Sequence, residues 1–363
     1  LNIKLFILLG IVGLLASCAT PPSTTPAIGN INHPKSVWTP ASFSDLPGWP
    51  DDSFQQAWTA WMRSCQKPIQ AWINTCAELN KLSNSTEIDK QIWLQNNFQV
   101  YAVTNTNGNP DGLLTSYYEP EFNASRIAKN GYEVPLYRTP ATLQKQKPWF
   151  TRKEIDTLAE AKSQLRGKEI VYLADPIDAL ILHIQGSGKV RVMEPDGRQS
   201  WTRVAFAGTN EQSYKSVGRW LIDQGAVKDA SWRSIKEWAS RNPNKVQEML
   251  WTNPRYVFFK EEALSETDPT LGPKGAQGVP LTARRSIAID PASMPYGTPV
   301  WLSTKGPTLN ESRLMIAQDT GSAITGAVRA DYYMGSGFQA GELASQVKQN
   351  LRYWVLQPKT NSN

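Results

Sequence analysis

Short runs rich in Val, Ile, Leu and Tyr, each cut off by Gly or Pro, recur along most of this chain. They extend from "GLLTSYYEPEF" (Gly112–Phe122) to "RVMEPDG" (Arg191–Gly197) and resume after "NPRYVFFKEE" (Asn253–Glu262). Runs of this kind are too short for independent helices and too apolar for loops, so they read as β-strands joined by turns. With 25 Pro and 24 Gly among 363 residues, a loop-rich β protein is favoured over a helical bundle. Strands are expected at Ser286–Asp290, Thr298–Ser303 and Arg313–Asp319, with "LRYWVLQP" closing the chain after a short helix in "GFQAGELASQVKQN". The clearest hairpin reads from "ALILHIQGSGKVRVMEPDGR" (Ala179–Arg198). There Leu180, Leu182 and Ile184 alternate with Ile181, His183 and Gln185, and Gly186-Ser187-Gly188 turns the chain.

Helices interrupt this texture in two places. Phe54, Trp58, Trp61, Met62 and Cys65 recur at three- and four-residue spacing, Pro68 breaks the pattern, and Ile69, Trp72, Ile73 and Cys76 start a second helix. A further helical stretch covers Glu211–Leu250, with Val217 and Leu221 on one face and Ile235 and Trp238 on another. The segment from about Ala124 to Lys260 reads as a unit inserted between two halves of another.

At the N-terminus, Lys4 precedes an apolar stretch from Leu5 to Leu15, followed by Ala16, Ser17 and Cys18. The stretch fits a secretory signal, and Leu15-Ala16-Ser17-Cys18 resembles a bacterial lipobox, in which the cysteine is lipidated; an ordinary cleaved signal is the plainer alternative. Residue 19 is Ala rather than the Asp of inner-membrane retention, so the resemblance implies the outer membrane, periplasmic face. "TPPSTTPAIGN" (Thr20–Asn30) reads as a tether. Of the two remaining cysteines, Cys65 and Cys76, an oxidising periplasm favours a disulfide over two buried thiols. With only His33 and His183 and no Cys-x-x-Cys, a metal site is disfavoured. The formal charge of +6 suits an anionic neighbourhood, but no basic run marks a nucleic-acid stripe. Fourteen tryptophans would serve a core or a carbohydrate groove equally well.

"DTGS" (Asp319–Ser322) invites comparison with aspartic proteases. Such a site needs two Asp-Thr/Ser-Gly loops sharing a proton, and this chain has one. Taken alone, Asp319 fits a turn-capping aspartate as well as a functional one. A Ser-His-Asp triad would depend on His183, with no G-x-S-x-G elbow to match; His183 reads as groove-lining or packed.

A wider pattern includes Asp290 in "RRSIAIDPASMPYGTPVWL", Asp319 in "RLMIAQDTGSAITG" and Asp331 in "RADYYMG". With "GLLTSYYEPEF", "PLYRTP", "DPIDALILHIQGSGKV" and "FAGTNEQSYKSVGRWL" in the same order, these stretches resemble the membrane-bound lytic transglycosylase A family from about Asp111 to Val355. The resemblance implies a mainly β fold with helices. A double-psi β-barrel, formed by residues 41–123 and 261–363 with the N-terminal helices, would carry a smaller β domain over 124–260, with a glycan in the groove between them. Residues 1–17 would be the signal peptide and 18–40 the lipidated cysteine and linker.

It further implies cleavage of the MurNAc-β-1,4-GlcNAc bond of peptidoglycan without water, forming 1,6-anhydro-MurNAc and needing no cofactor. Asp331 would be the acid/base, Asp319 its support and Asp290 structural. Thr115, Tyr117, Tyr118 and Glu119 would line one wall, and Gln185, Gly186, Ser187 and Gly188 the other. Asp319 is expected to stay ionised on turn N–H groups near Gly321 and so to raise Asp331. The implied partners are glycan strands, the outer membrane and cell-wall synthesis or division proteins, with no nucleic acid. Gly321-Ser322 and Gly337-Phe338-Gln339 depart from the family's usual Gly-Gly and acidic positions. The alternative is a wall-binding lipoprotein that holds glycan without cutting it.

Overall fold

A computed structural model describes residues 29–359. The signal segment, Cys18 and nearly all of the Thr20–Asn30 tether lie outside the described residues. The chain opens with β1 (Ile31–Asn32) and β2 (Ser36–Ala41), then α1 (Phe54–Ser64), α2 (Ile73–Lys81) and α3 (Glu87–Asn97), then β3 (Phe98–Asn105) and β4 (Gly112–Glu119). A second group follows: β5 (Glu121–Ser125), β6 (Val134–Tyr137), α4 (Arg152–Thr157), α5 (Ala159–Leu165), β7 (Glu169–Leu173), α6 (Pro176–Gln185), β8 (Ser187–Met193) and β9 (Gln199–Thr209). It ends with α7 (Val217–Asp223), α8 (Trp232–Arg241), α9 (Val246–Trp251) and β10 (Val257–Glu262). The chain then returns as β11 (Ser286–Ile289), β12 (Pro299–Lys305), β13 (Asn310–Asp319), β14 (Arg329–Ser336), α10 (Gly337–Ala344) and β15 (Lys348–Pro358).

Two sheets result. In the first, the pairings run β15-β12-β13-β11-β14-β4 and back to β15, closing a six-stranded ring. β11 with β13 and β14 with β4 are its parallel pairs. This ring is the double-psi barrel, and β3, β2 and β1 extend it from β15. The second sheet, β10-β9-β8-β5-β7-β6, begins one residue after β4 ends, across Pro120. The ring's interior is filled by alternate residues, among them Leu114, Ile287, Ile289, Met315, Ala330, Tyr332 and Tyr353, all nearly or fully buried.

The helical face of α1 packs on the outside of the barrel. Phe54, Trp58 and Trp61 meet Trp72, Phe98, Trp301 and Ile316 there, so many of the tryptophans are core. Each such side chain contributes roughly 1.5–3 kcal/mol on burial. Asp52 locks this layer to the barrel. It accepts two 2.8 Å bonds from the buried Arg285 and a third from the Leu314 N–H. Cys65 and Cys76 are bonded, tying the end of α1 to α2.

Two sequence expectations fail here. Residues 36–40 are not linker: β2 pairs with β3, Trp38 is buried, and Ser36 Oγ donates to the Ser293 carbonyl at 2.7 Å. The Ala179–Gln185 half of the expected hairpin is a helix. Asp175 caps it by accepting from the Ile177 N–H, Pro176 occupies its first turn, and Gly186 ends it in the left-handed region at φ 81°. The strand-like alternation arose because α6 is buried on two sides. Ala179 and Leu182 face the second sheet, and Leu180 and Ile181 face α7 to α9.

Candidate active site

A cavity of about 270 Å³ lies between the barrel and the second sheet's lobe. On the barrel side its floor is set by register. Ala288 of β11 stands opposite Asp331 of β14 on one side and opposite Asp319 of β13 on the other. Residues in register on neighbouring strands project to one face, so both carboxyls flank the Ala288 methyl, their backbones roughly 10 Å apart.

Asp319 reaches that face through a bulge. Ile287 pairs with Ala317, yet Ala288 pairs with Asp319, which leaves Gln318 as the extra residue. The buried Gln318 amide is held by the other layer: its Nε2 donates to the Ala60 carbonyl at 2.9 Å and to Ser64 Oγ at 2.7 Å. Helix α1 thus pins the bulge that delivers Asp319.

The two carboxyls are engaged differently. Asp319 Oδ1 accepts from the Ala276 and Thr320 N–H groups at 2.8 and 2.9 Å, and Oδ2 accepts from Tyr117 Oη at 2.9 Å. Both of its oxygens are occupied. Asp331 Oδ1 accepts from Thr115 Oγ1, its register partner on β4. Asp331 Oδ2 has no hydrogen-bond donor among the described residues. Arg329, on the same face two residues earlier, donates to Thr115 Oγ1 at 2.8 Å. That bond occupies a lone pair of the hydroxyl and turns its hydrogen toward Asp331.

Burial raises both acids. Asp319 is pushed up to about 6 by burial, against the Ala276, Thr320 and Tyr117 donors, with the charge of Asp331 adding to the rise. Burial also lifts Asp331, while the Thr115 bond and the Arg329 charge oppose it. The expected picture therefore changes. The expected turn donor is there in the Thr320 N–H next to Gly321, but Ala276 and Tyr117 donate as well, and together they do not overcome burial. The pair holds a proton between them more readily than either would in water.

The structure separates the other sequence-predicted residues. Thr115, Tyr117 and Gln185 line the cavity. The Tyr118 ring instead lines a different groove of about 970 Å³ between α8 and α10, although its N–H donates to Gln185 Oε1 at 3.1 Å. Glu119 lines neither. It is fully buried at the crossing between the two sheets, where it pairs with Arg203 of β9 and accepts from Ser336 Oγ at 2.8 Å. Gly186, Ser187 and Gly188 are also withdrawn from the wall. Gly186 caps α6, and a Cβ on Gly188 would meet Leu182 at 2.2 Å, so backbone packing rather than ligand approach requires that glycine. Asp290 accepts from Lys35 Nζ and the Gly326 N–H at 2.8 Å and from the Ala292 N–H at 3.0 Å. Burial raises it, but these donors outweigh burial and hold it below the usual carboxylate range.

Sequence reading missed Arg329, Ala288, Tyr214 and Arg255. The strand period of two signalled Arg329, because it shares a face with Asp331; Tyr214 and Arg255 come from loops with no such signal. His183 proves both packed and cavity-lining. It is buried on α6, its ring stacks on Phe259, and its Nδ1 lies 2.9 Å from Arg152 Nη2.

Comparison with known proteins bears on the family and the fold. The MltA specific insert domain matches residues 113–260 and the 3D domain residues 285–357, a span that holds Asp290, Asp319 and Asp331. The membrane-bound lytic murein transglycosylase A of Vibrio cholerae is 32% identical over 273 residues, covering 71% of this chain and 69% of its own. The lytic transglycosylase LtgG of Burkholderia pseudomallei superposes with a TM-score of 0.61 at 40% identity, over 89% of this chain and 96% of its own. Escherichia coli MltA with bound chitohexaose gives a TM-score of 0.70 at 25% identity, over 92% of this chain and 94% of its own.

Proposed function

This chain belongs to the membrane-bound lytic transglycosylase A family, and from that premise we propose that Asp331 is the acid and base of its cleft. The protein is a peptidoglycan lytic transglycosylase that binds glycan strands. The E. coli relative with chitohexaose supports the glycan reading. The observation that carries the assignment within the site is the free Oδ2 of Asp331. Each oxygen of Asp319 already accepts a hydrogen bond, whereas Asp331 Oδ2 has no donor among the described residues and is the oxygen best placed to meet the substrate.

The hydrogen bonds also favour one oxygen of Asp331 for the proton. Thr115, oriented by Arg329, donates to Oδ1, so the acidic hydrogen of neutral Asp331 belongs on Oδ2. That hydrogen passes to the glycosidic oxygen as the C1–O bond breaks. The muramyl C6 hydroxyl closes on C1, and its proton returns to Asp331. Atoms balance without water, and the acid is regenerated in one turn. Asp319 acts as support: held by Tyr117 and two N–H groups, its ionised form disfavours a second negative charge at Asp331. Asp290 ties the Ala292 and Gly326 loops to Lys35 and is structural. We read the barrel unit as running from β1 to β4 and from β11 to β15, the insert as β5 to β10, and Cys18 as the lipid anchor to the outer membrane's periplasmic face. No helix among the described residues is long and apolar enough to cross a membrane. Cell-wall synthesis or division proteins would be the protein partners.

The test is product identity. Digestion of purified peptidoglycan is expected to release muropeptides ending in 1,6-anhydro-MurNAc, lighter by one water than hydrolytic products on mass spectrometry. Reducing ends would make the protein a hydrolase, and no release at all would return it to glycan binding.

A further inference from the structure

The insert side of the cavity holds hydrogen-bond donors that lack acceptors. Arg152 can only donate, so the 2.9 Å contact makes His183 Nδ1 the acceptor and places the ring hydrogen on Nε2. His183 is 6% exposed, and that Nε2 has no partner among the described residues. A buried N–H without an acceptor is costly, and such groups in native proteins are satisfied by something. Burial, followed by the Arg152 charge, holds the His183 pKa well below its ordinary value, so the ring is neutral and its donor permanent.

Beside it, Arg255 lines the same cavity. Its guanidinium makes one side-chain bond, at 3.4 Å to the Gln212 carbonyl, and no carboxylate among the described residues pairs with it. Its own carbonyl accepts from Arg152 Nη2 at 2.9 Å, which couples the Arg255 backbone to the His183 support. Gln185 spends its Oε1 on the Tyr118 N–H, leaving its amide hydrogens to donate. An unpaired guanidinium and an amide NH₂ thus line the wall that His183 backs, its own Nε2 lying beneath the surface. A bare glycan offers hydroxyl and acetamido groups, which do not call for a cation. A muramyl residue adds a carboxylate, either on its lactyl group or on the peptide attached to it.

We infer that Arg255 and Gln185, with His183 packed behind them, form a carboxylate-recognising subsite that reads the acidic substituent of the muramyl residue. This rests on the glycan reading above but not on the identity of the acid. Arg255 is a specificity residue and takes no part in proton transfer.

The test measures binding to the full-length protein by calorimetry with three ligands. These are muramyl glycan oligomers bearing their peptides, the same oligomers with peptides removed and lactyl carboxylates free, and a chitin hexamer. Arg255→Met is expected to weaken binding of at least one muramyl ligand by roughly tenfold to a hundredfold, as for loss of a charge-assisted bond. The chitin hexamer affinity should hold, which also reports an intact fold. Weakening confined to the peptide-bearing ligand assigns the peptide carboxylate; weakening of the peptide-free ligand as well assigns the lactyl group. Arg255→Lys should restore part of the loss. Equal weakening of all three ligands, or no weakening of either muramyl ligand, overturns the proposal. Failure of the lytic reading looks different: ligands would bind as expected while the wild-type protein formed no 1,6-anhydro ends.

Discussion

On the barrel side of the cleft, Asp319 and Asp331 stand on strands whose register holds them either side of Ala288. On the insert side, His183 and Gln185 come from the last turn of α6 and Arg255 from the loop before β10. The first wall holds acids in a backbone lattice that cannot shift without breaking the barrel. The second holds nitrogens on a helix end and a loop. Proton transfer tolerates little misplacement, whereas recognition of a flexible substituent tolerates more, so each kind of scaffold suits its chemistry. The Glu119–Arg203 pair, fully buried where β4 hands over to the insert, keeps the two walls facing each other.

The sharpest way to break this comparison is Asp331→Asn. It is expected to lower cleavage by about a thousandfold or more while glycan binding persists, since one acid serves both proton transfers. Turnover near the wild-type rate would move the acid to Asp319.

A smaller effect is expected from Arg329→Met. Losing the group that orients Thr115 should cost about tenfold in kcat/KM, the scale of one charge-assisted hydrogen bond. The Arg329 charge opposes the rise of the Asp331 pKa, so its removal should also shift the alkaline limb of the pH–rate profile to higher pH. A drop in rate with an unmoved limb would make Arg329 merely structural.

A third effect is on stability rather than rate, at Asp319. Its pKa is raised from 3.8 to about 6 in the folded protein. The stability this provides is fully present below the unfolded value and is lost as pH rises through 6. Asp319→Asn should therefore gain on the wild type in thermal or denaturant unfolding above that pH, by about 1–3 kcal/mol, with little difference in more acidic buffer. The opposite trend would mean that the Tyr117 and N–H donors, not burial, govern Asp319.

Much of the fold was legible because local signals and tertiary demands agreed. Strand runs between Gly and Pro gave β11, β13 and β15, and the spacing of Phe54, Trp58 and Trp61 gave α1. Where the two disagreed, as at Ala179–Gln185, burial on both sides erased the helical period, and only Asp175, Pro176 and Gly186 marked the helix. Among candidate site residues, Thr115 and Tyr117 were legible beside Asp319 and Asp331. Glu119 shared their strand but sits at its buried end.

The sequence by itself determined which atoms the chemistry has to work with: three aspartates in or next to strands, a β-rich chain and an inserted segment. Only the tertiary structure decided which aspartate has a free oxygen. That choice depends on a bulge at Gln318 anchored some 250 residues away on α1, and on Tyr117 and Ala276 reaching Asp319 from other elements. Hydrogen bonds between distant segments leave no periodic trace along the chain, because their geometry is set by strand register and layer packing rather than by neighbouring residues.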